Sequence, residues 1–119
     1  MSCVTGSVNK KPGSALQTDM QRNVMFVVLL KFAEGKARAS QFMEGHKEWL
    51  QRGFDDGTFL LAGNLQPGAG GAILAHGTSL PEIRSRVDDD PFVAENVVSV
   101  EILEITASKA DERLKFLLG

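Results

Sequence analysis

The chain has a single cysteine, Cys3, which rules out any intrachain disulfide and fits a reducing compartment. No apolar run approaches the length of a membrane span. The first 22 residues are mostly Ser, Thr, Gly, Lys, Gln and Asn and lack the apolar core of a signal peptide, so a cytoplasmic location is the expectation. Neither charge sign dominates: the net charge is −2 and the isoelectric point near 5.6, which gives no electrostatic reason to expect a polyanionic partner. There is no internal repeat and no low-complexity tract.

With 119 residues, 43% hydrophobic and 24% charged, the chain is long enough for one globular domain and too short for two. Residues 1–23 show no hydrophobic periodicity and read as a flexible arm, with Met20 as a conceivable second start. The folded domain is then 24–119. It opens on the apolar run Val24 to Phe32, a strand buried on both faces. From about Ala37 to Phe54, apolar residues recur at three- and four-residue spacing, which predicts an amphipathic helix ended by Gly53 and Asp55-Asp-Gly57. Phe59 to Ala62 reads as a strand, Gly63 to Gly71 as a turn, and Ala72 to His76 as a strand paired back on Phe59 to Ala62.

Ser79 with Glu82 three residues on is a capping box, and Pro81 suits the first turn of the helix it opens. Leu80, Ile83 and Val87 form that helix's apolar stripe, and Pro91 stops it. Val97 to Ile105 alternates as a last strand, and a short helix is predicted from Ser108 with Leu114, Leu117 and Leu118. The order is an α+β, ferredoxin-like βαββαβ antiparallel sheet with a C-terminal helix. Right-handed crossovers put both helices on one sheet face. The first strand is apolar at both parities, so the other face needs a cover as well. A second copy packing sheet to sheet meets that need, and the expectation is a homodimer through the open sheet face; the C-terminal helix folding over that face is the monomeric alternative.

Two polar features stand out. His46 falls between Phe42 and Leu50, within the apolar stripe of the first helix, where a leucine is expected. A core histidine satisfied by a carbonyl explains it without function; an imidazole at the edge of a cleft is a general acid or base. The run Asp88-Asp-Asp90 opposes the helix dipole at a C-terminus. A solvated charge run is the plain explanation. Asp90 differs from its neighbours because Pro91 makes the Asp-Pro-Phe corner rigid, so this carboxylate can point inward and hold the Nδ1–H of His46.

Other chemistry is excluded or demoted. The glycine-rich segment has no Lys-Ser/Thr ending and leads into a strand, so it is a hairpin before it is a phosphate loop; Gly63 and Asn64 remain as pocket wall. Cys3, His46 and His76 lack metal-ligand spacing, and His76 reads as a surface residue. No cofactor and no metal are expected. Ala72 to His76 offers neither the aromatics nor the basic residues of a nucleic-acid-binding sheet.

The chain resembles the YciI-like, or YCII-related, family over about residues 24–106. The resemblance rests on the apolar first strand, His46-Lys-Glu-Trp-Leu50, Gly57-Thr-Phe-Leu-Leu-Ala-Gly63, Gly70-Gly-Ala-Ile-Leu74 and Asp89-Asp-Pro-Phe-Val93, in that order. It implies a dimeric α+β barrel of two ferredoxin-like units, with a pocket near a His–Asp pair that falls on His46 and Asp90. The chain departs from the family pattern at Met43, where many relatives carry Arg, and at Gly63-Asn64, where many have Gly-Pro. Two functional readings follow. In the first, the chain is a cofactor-independent lyase, isomerase or hydrolase acting on a small metabolite. In the second, it is a non-catalytic dimer that binds a small ligand or a partner.

Overall fold

A computed structural model describes residues 23–118; Cys3, Met20 and nearly all of the predicted arm lie outside them. The first strand, β1 (Val24–Phe32), runs as the apolar pattern predicts. A 3-10 turn over Glu34–Arg38 leads into α1 (Ala39–Asp55), followed by β2 (Phe59–Leu65) and β3 (Gly70–His76). Next come α2 (Leu80–Asp88), the one-turn α3 (Pro91–Ala94) and β4 (Val98–Thr106). The strands form a four-stranded antiparallel sheet in the order β2-β3-β1-β4, which is the ferredoxin-like arrangement. No described helix is long and apolar enough to cross a membrane.

Residues 26–105 form one compact unit. Its core lies between one sheet face and the helices: Phe26, Val28 and Leu30 of β1, Ile73 and Ala75 of β3, Trp49 of α1, and Ile83 and Val87 of α2 are all buried. The capping box at Ser79 is complete, with the Ser79 hydroxyl accepting from Glu82 N–H and the Glu82 carboxylate accepting from Ser79 N–H. Such a cap is worth about 1 kcal/mol. Leu80, expected in the apolar stripe, lies instead at the exposed margin of α2. The Trp49 indole N–H donates to the Arg86 carbonyl over 2.9 Å and ties α1 to α2. Arg86 also reaches Asp56 just after α1, and the Asp56 carboxyl is held below its ordinary value, first by the Thr58 hydroxyl and then by that guanidinium.

Several sequence expectations shift. Gly53 does not end the first helix. It lies inside α1, buried, at a point where any Cβ would collide with the Phe59 ring, and the helix stops only before Gly57, at φ +81. The predicted turn from Gly63 to Gly71 shrinks to the residues between Leu65 and Gly70, because Gly63 pairs with Ala72 and Asn64 with Gly71 in the hairpin. Sheet pairing there outweighs the weak strand preference of glycine. His76 is half-buried, and its Nε2–H donates to the Gly57 carbonyl over 3.0 Å, so it is not a plain surface residue.

The face of the unit turned away from the helices carries the other parity. Leu61 faces Leu74 across the hairpin, Val27 and Leu29 alternate with the buried residues of β1, and Leu103 and Ile105 are exposed on β4. Leu61 alone keeps 56% of its surface in solvent. One ion pair, Lys31 to Glu101 at 3.4 Å, crosses from β1 to β4 on this face.

Residues 106–118 belong to a separate unit and are described by themselves. The C-terminal helix starts later than predicted, as a 3-10 helix over Glu112–Leu118 broken at Leu114. Asp111 sets its start, since its side chain accepts from Arg113 N–H at 2.9 Å and closes a local turn there.

Candidate active site

The local chain path explains how His46 and Asp90, 44 residues apart, come together. Pro91 pushes Asp90 out of the helical region, to φ −67 and ψ 125, and ends α2. Asp90 is then the N-cap of the next helix: its Oδ1 accepts from Phe92 N–H at 3.1 Å. The cap fixes the side chain and turns it inward. Opposite, Gly45 lets α1 approach α3, for a Cβ there would sit 3.0 Å from Pro91 Cγ. That close approach sets His46, the next residue, against the Asp-Pro-Phe corner.

Nδ1 of His46 meets Oδ1 of Asp90 at 2.9 Å. The Asp90 side chain is 0% exposed and that of His46 is 14% exposed. A carboxylate only accepts hydrogen bonds, so Nδ1 is the donor of this contact, and in the neutral ring the lone pair is on Nε2. The second oxygen, Oδ2, is buried with no hydrogen-bond partner among the described residues. Phe92 holds the imidazole plane, its ring stacked on His46 at 4.1 Å between centroids and 6° between planes. Trp49 lies on the same ring at 5.9 Å. Asp88 and Asp89 are exposed, so of the acidic run only Asp90 turns inward.

His46 lines a cavity of about 530 Å³ between α1 and the sheet. Gly63 and Asn64 line it as well, so three of the four residues singled out in the sequence share one cavity, and the fourth holds the ring of the first. The apolar wall includes Leu30, Leu50, Ile73, Phe92 and Val98. Two further lining residues were not singled out in the sequence as part of the site. Phe92 is visible only as part of the Asp-Pro-Phe corner, and Gln66, in the hairpin turn, has no motif at all. Among the described residues no three His, Cys, Asp or Glu side chains converge as a metal site requires.

Comparison with known proteins matches this chain to a family. The model of the YCII-related domain matches residues 24–106, most of the chain and all of the sheet unit. The chain belongs to the YCII-related family. No curated protein matches it in sequence. Among solved structures, this YCII-related domain is similar to 5-chloro-2-hydroxyhydroquinone dehydrochlorinase of Burkholderia phenoliruptrix AC1100, determined in complex with 2,5-dihydroxybenzoquinone. The TM-score is 0.59 at 14% identity, and the match covers 75% of this chain and 97% of that one. At that identity the likeness speaks for the fold alone.

Proposed function

We propose that this YCII-related protein is a cofactor-independent enzyme that moves a proton on a small metabolite. His46 is its general acid/base, Asp90 orients the ring, and Gly63 and Asn64 form part of the pocket wall. The supporting observation is the 2.9 Å contact between a fully buried carboxylate and an imidazole that lines a ligand-sized cavity. With Nδ1 committed to Asp90, Nε2 is the nitrogen that exchanges the proton, and the stacked Phe92 keeps it aimed.

Isomerisation, elimination and hydrolysis share this proton transfer. We take elimination forward as the leading case, by analogy with the dehydrochlorinase of like fold. Nε2 takes a proton from the substrate, the electron pair left behind forms the new double bond, and the leaving group departs with its own bonding pair. The imidazolium then returns its proton to water.

The test is a panel of chlorinated hydroquinones and small enolisable ketones, read by halide release and by deuterium uptake from D2O. Turnover is expected in the native protein, and His46→Ala should lower kcat by about 10²–10⁴-fold with the fold retained. A His46→Ala protein as active as the native one would overturn the proposal. Ligand binding without any turnover would instead favour a non-catalytic binding module.

A second copy of the chain is the partner that suits the outer sheet face, where Leu61, Leu74, Leu103 and Ile105 make an apolar surface unusual for a monomer. Sedimentation equilibrium should give a dimer at micromolar concentration, and Leu61→Glu should weaken it. A monomer across that range sinks this part of the reading.

A further inference from the structure

We propose that the cavity beside His46 is selective for uncharged ligands and that Met43 sets this selectivity. The inference rests on the reading of this cavity as the substrate site and names the class of substrate it accepts.

Charged residues make up 24% of the chain, so a lining of sixteen residues drawn at random would hold about four. None of the described lining residues is Lys, Arg, Asp or Glu. The contrast with another cavity of the same unit is direct. That one, of about 520 Å³, is lined by Arg52, Arg86, Glu82 and Asp89 beside Trp49 and the hydroxyls of Thr58, Thr78 and Ser85. Charge is thus available on this scaffold and is kept out of the site that holds the histidine.

What remains polar there carries no fixed charge: the amides of Asn64 and Gln66 on the sheet side and the imidazole of His46 on the helix side. An anion entering this cavity gives up part of its hydration without meeting a cation among the described lining residues. A protonated His46 does not help, because the Asp90 carboxylate 2.9 Å behind it already offsets that charge. Lys36 lies 4.9 Å from the centre of the Phe32 ring, yet it is not among the lining residues. A flat, largely apolar molecule with hydroxyl or carbonyl groups at two edges fits all of these conditions. It can use the amides at one edge and present an O–H or C–H acid to Nε2 at the other.

Met43 is the position where this could have been otherwise. It sits one helical turn before His46 on α1, lines the cavity and is 37% exposed, so a longer charged side chain there has room and solvent. An arginine at this position would supply the missing cation.

The experiment compares a neutral and an anionic probe of similar shape on the full chain at neutral pH. The probes are 3-methylphenol and 3-hydroxybenzoate, with affinities read by ligand-observed NMR. The phenol should bind at least about tenfold more tightly than the benzoate. Met43→Arg should narrow that ratio by about tenfold or more, while Met43→Leu leaves it unchanged. Equal or tighter binding of 3-hydroxybenzoate by the native protein overturns the proposal, as does failure of both probes to bind, or a Met43→Arg protein with an unaltered ratio. Binding is measured apart from turnover, so the two readings fail separately. Selectivity without catalysis removes the enzyme and keeps the ligand class. Turnover of an anionic compound that His46→Ala abolishes does the reverse.

Discussion

Gly70→Ala is expected to destabilise the sheet unit by about 3–5 kcal/mol, enough to unfold much of the population at 37 °C. The residue has φ +133, a conformation that side chains rarely adopt, and an added Cβ would collide with the Leu30 carbonyl. Leu30 is buried in β1, one of the two inner strands, so that backbone has nowhere to retreat. The strain and the collision arise from the same substitution and act together. Gly63→Ala is the matched control: its backbone is ordinary, and a Cβ there meets nothing within 4 Å. Urea denaturation should place the control within about 1 kcal/mol of the native protein. Equal midpoints for the two variants would show that Gly70 is not held by its neighbours.

The second large effect concerns Asp90 and separates catalysis from folding. Asp90→Asn keeps an oxygen able to accept from both Phe92 N–H and His46 Nδ1–H, so its cost in stability should be about 1 kcal/mol or less. It removes the negative charge that steadies the imidazolium. On the proposed function, turnover should fall by about 10²–10⁴-fold. Asp90→Ala loses the N-cap and leaves Nδ1 without its acceptor, and should cost about 2–4 kcal/mol in addition to the activity. A cavity dyad predicts that the amide variant is folded and slow. A purely structural pair predicts folded and unchanged ligand handling, and native turnover by Asp90→Asn would decide for it.

Legibility of the sequence followed the range of the forces involved. The bounds of β1 and the capping box at Ser79 were readable because each is encoded within a few neighbouring residues. His46 was noticeable because a polar residue interrupts an apolar stripe, and Asp90 because proline fixes the backbone beside it. The contact between them joins two helices and follows from no spacing rule. Gly53 and Gly45 are harder still. Each is small to admit a residue from another element, Phe59 in one case and Pro91 in the other, and a lone sequence shows only the missing side chain. The one-turn helix α3 was hidden for a similar reason. Pro91 announces an end, whereas the restart depends on Asp90 Oδ1 reaching Phe92 N–H.

Trp49 has a use beyond packing. The chain contains one tryptophan and no tyrosine, so its long-wavelength ultraviolet emission comes from a single indole. That indole is buried, is anchored by its N–H to the Arg86 carbonyl, and lies 5.9 Å from the His46 ring. The protein therefore carries its own optical probe beside the imidazole, and a molecule that settles there or tilts that ring can be followed without a label.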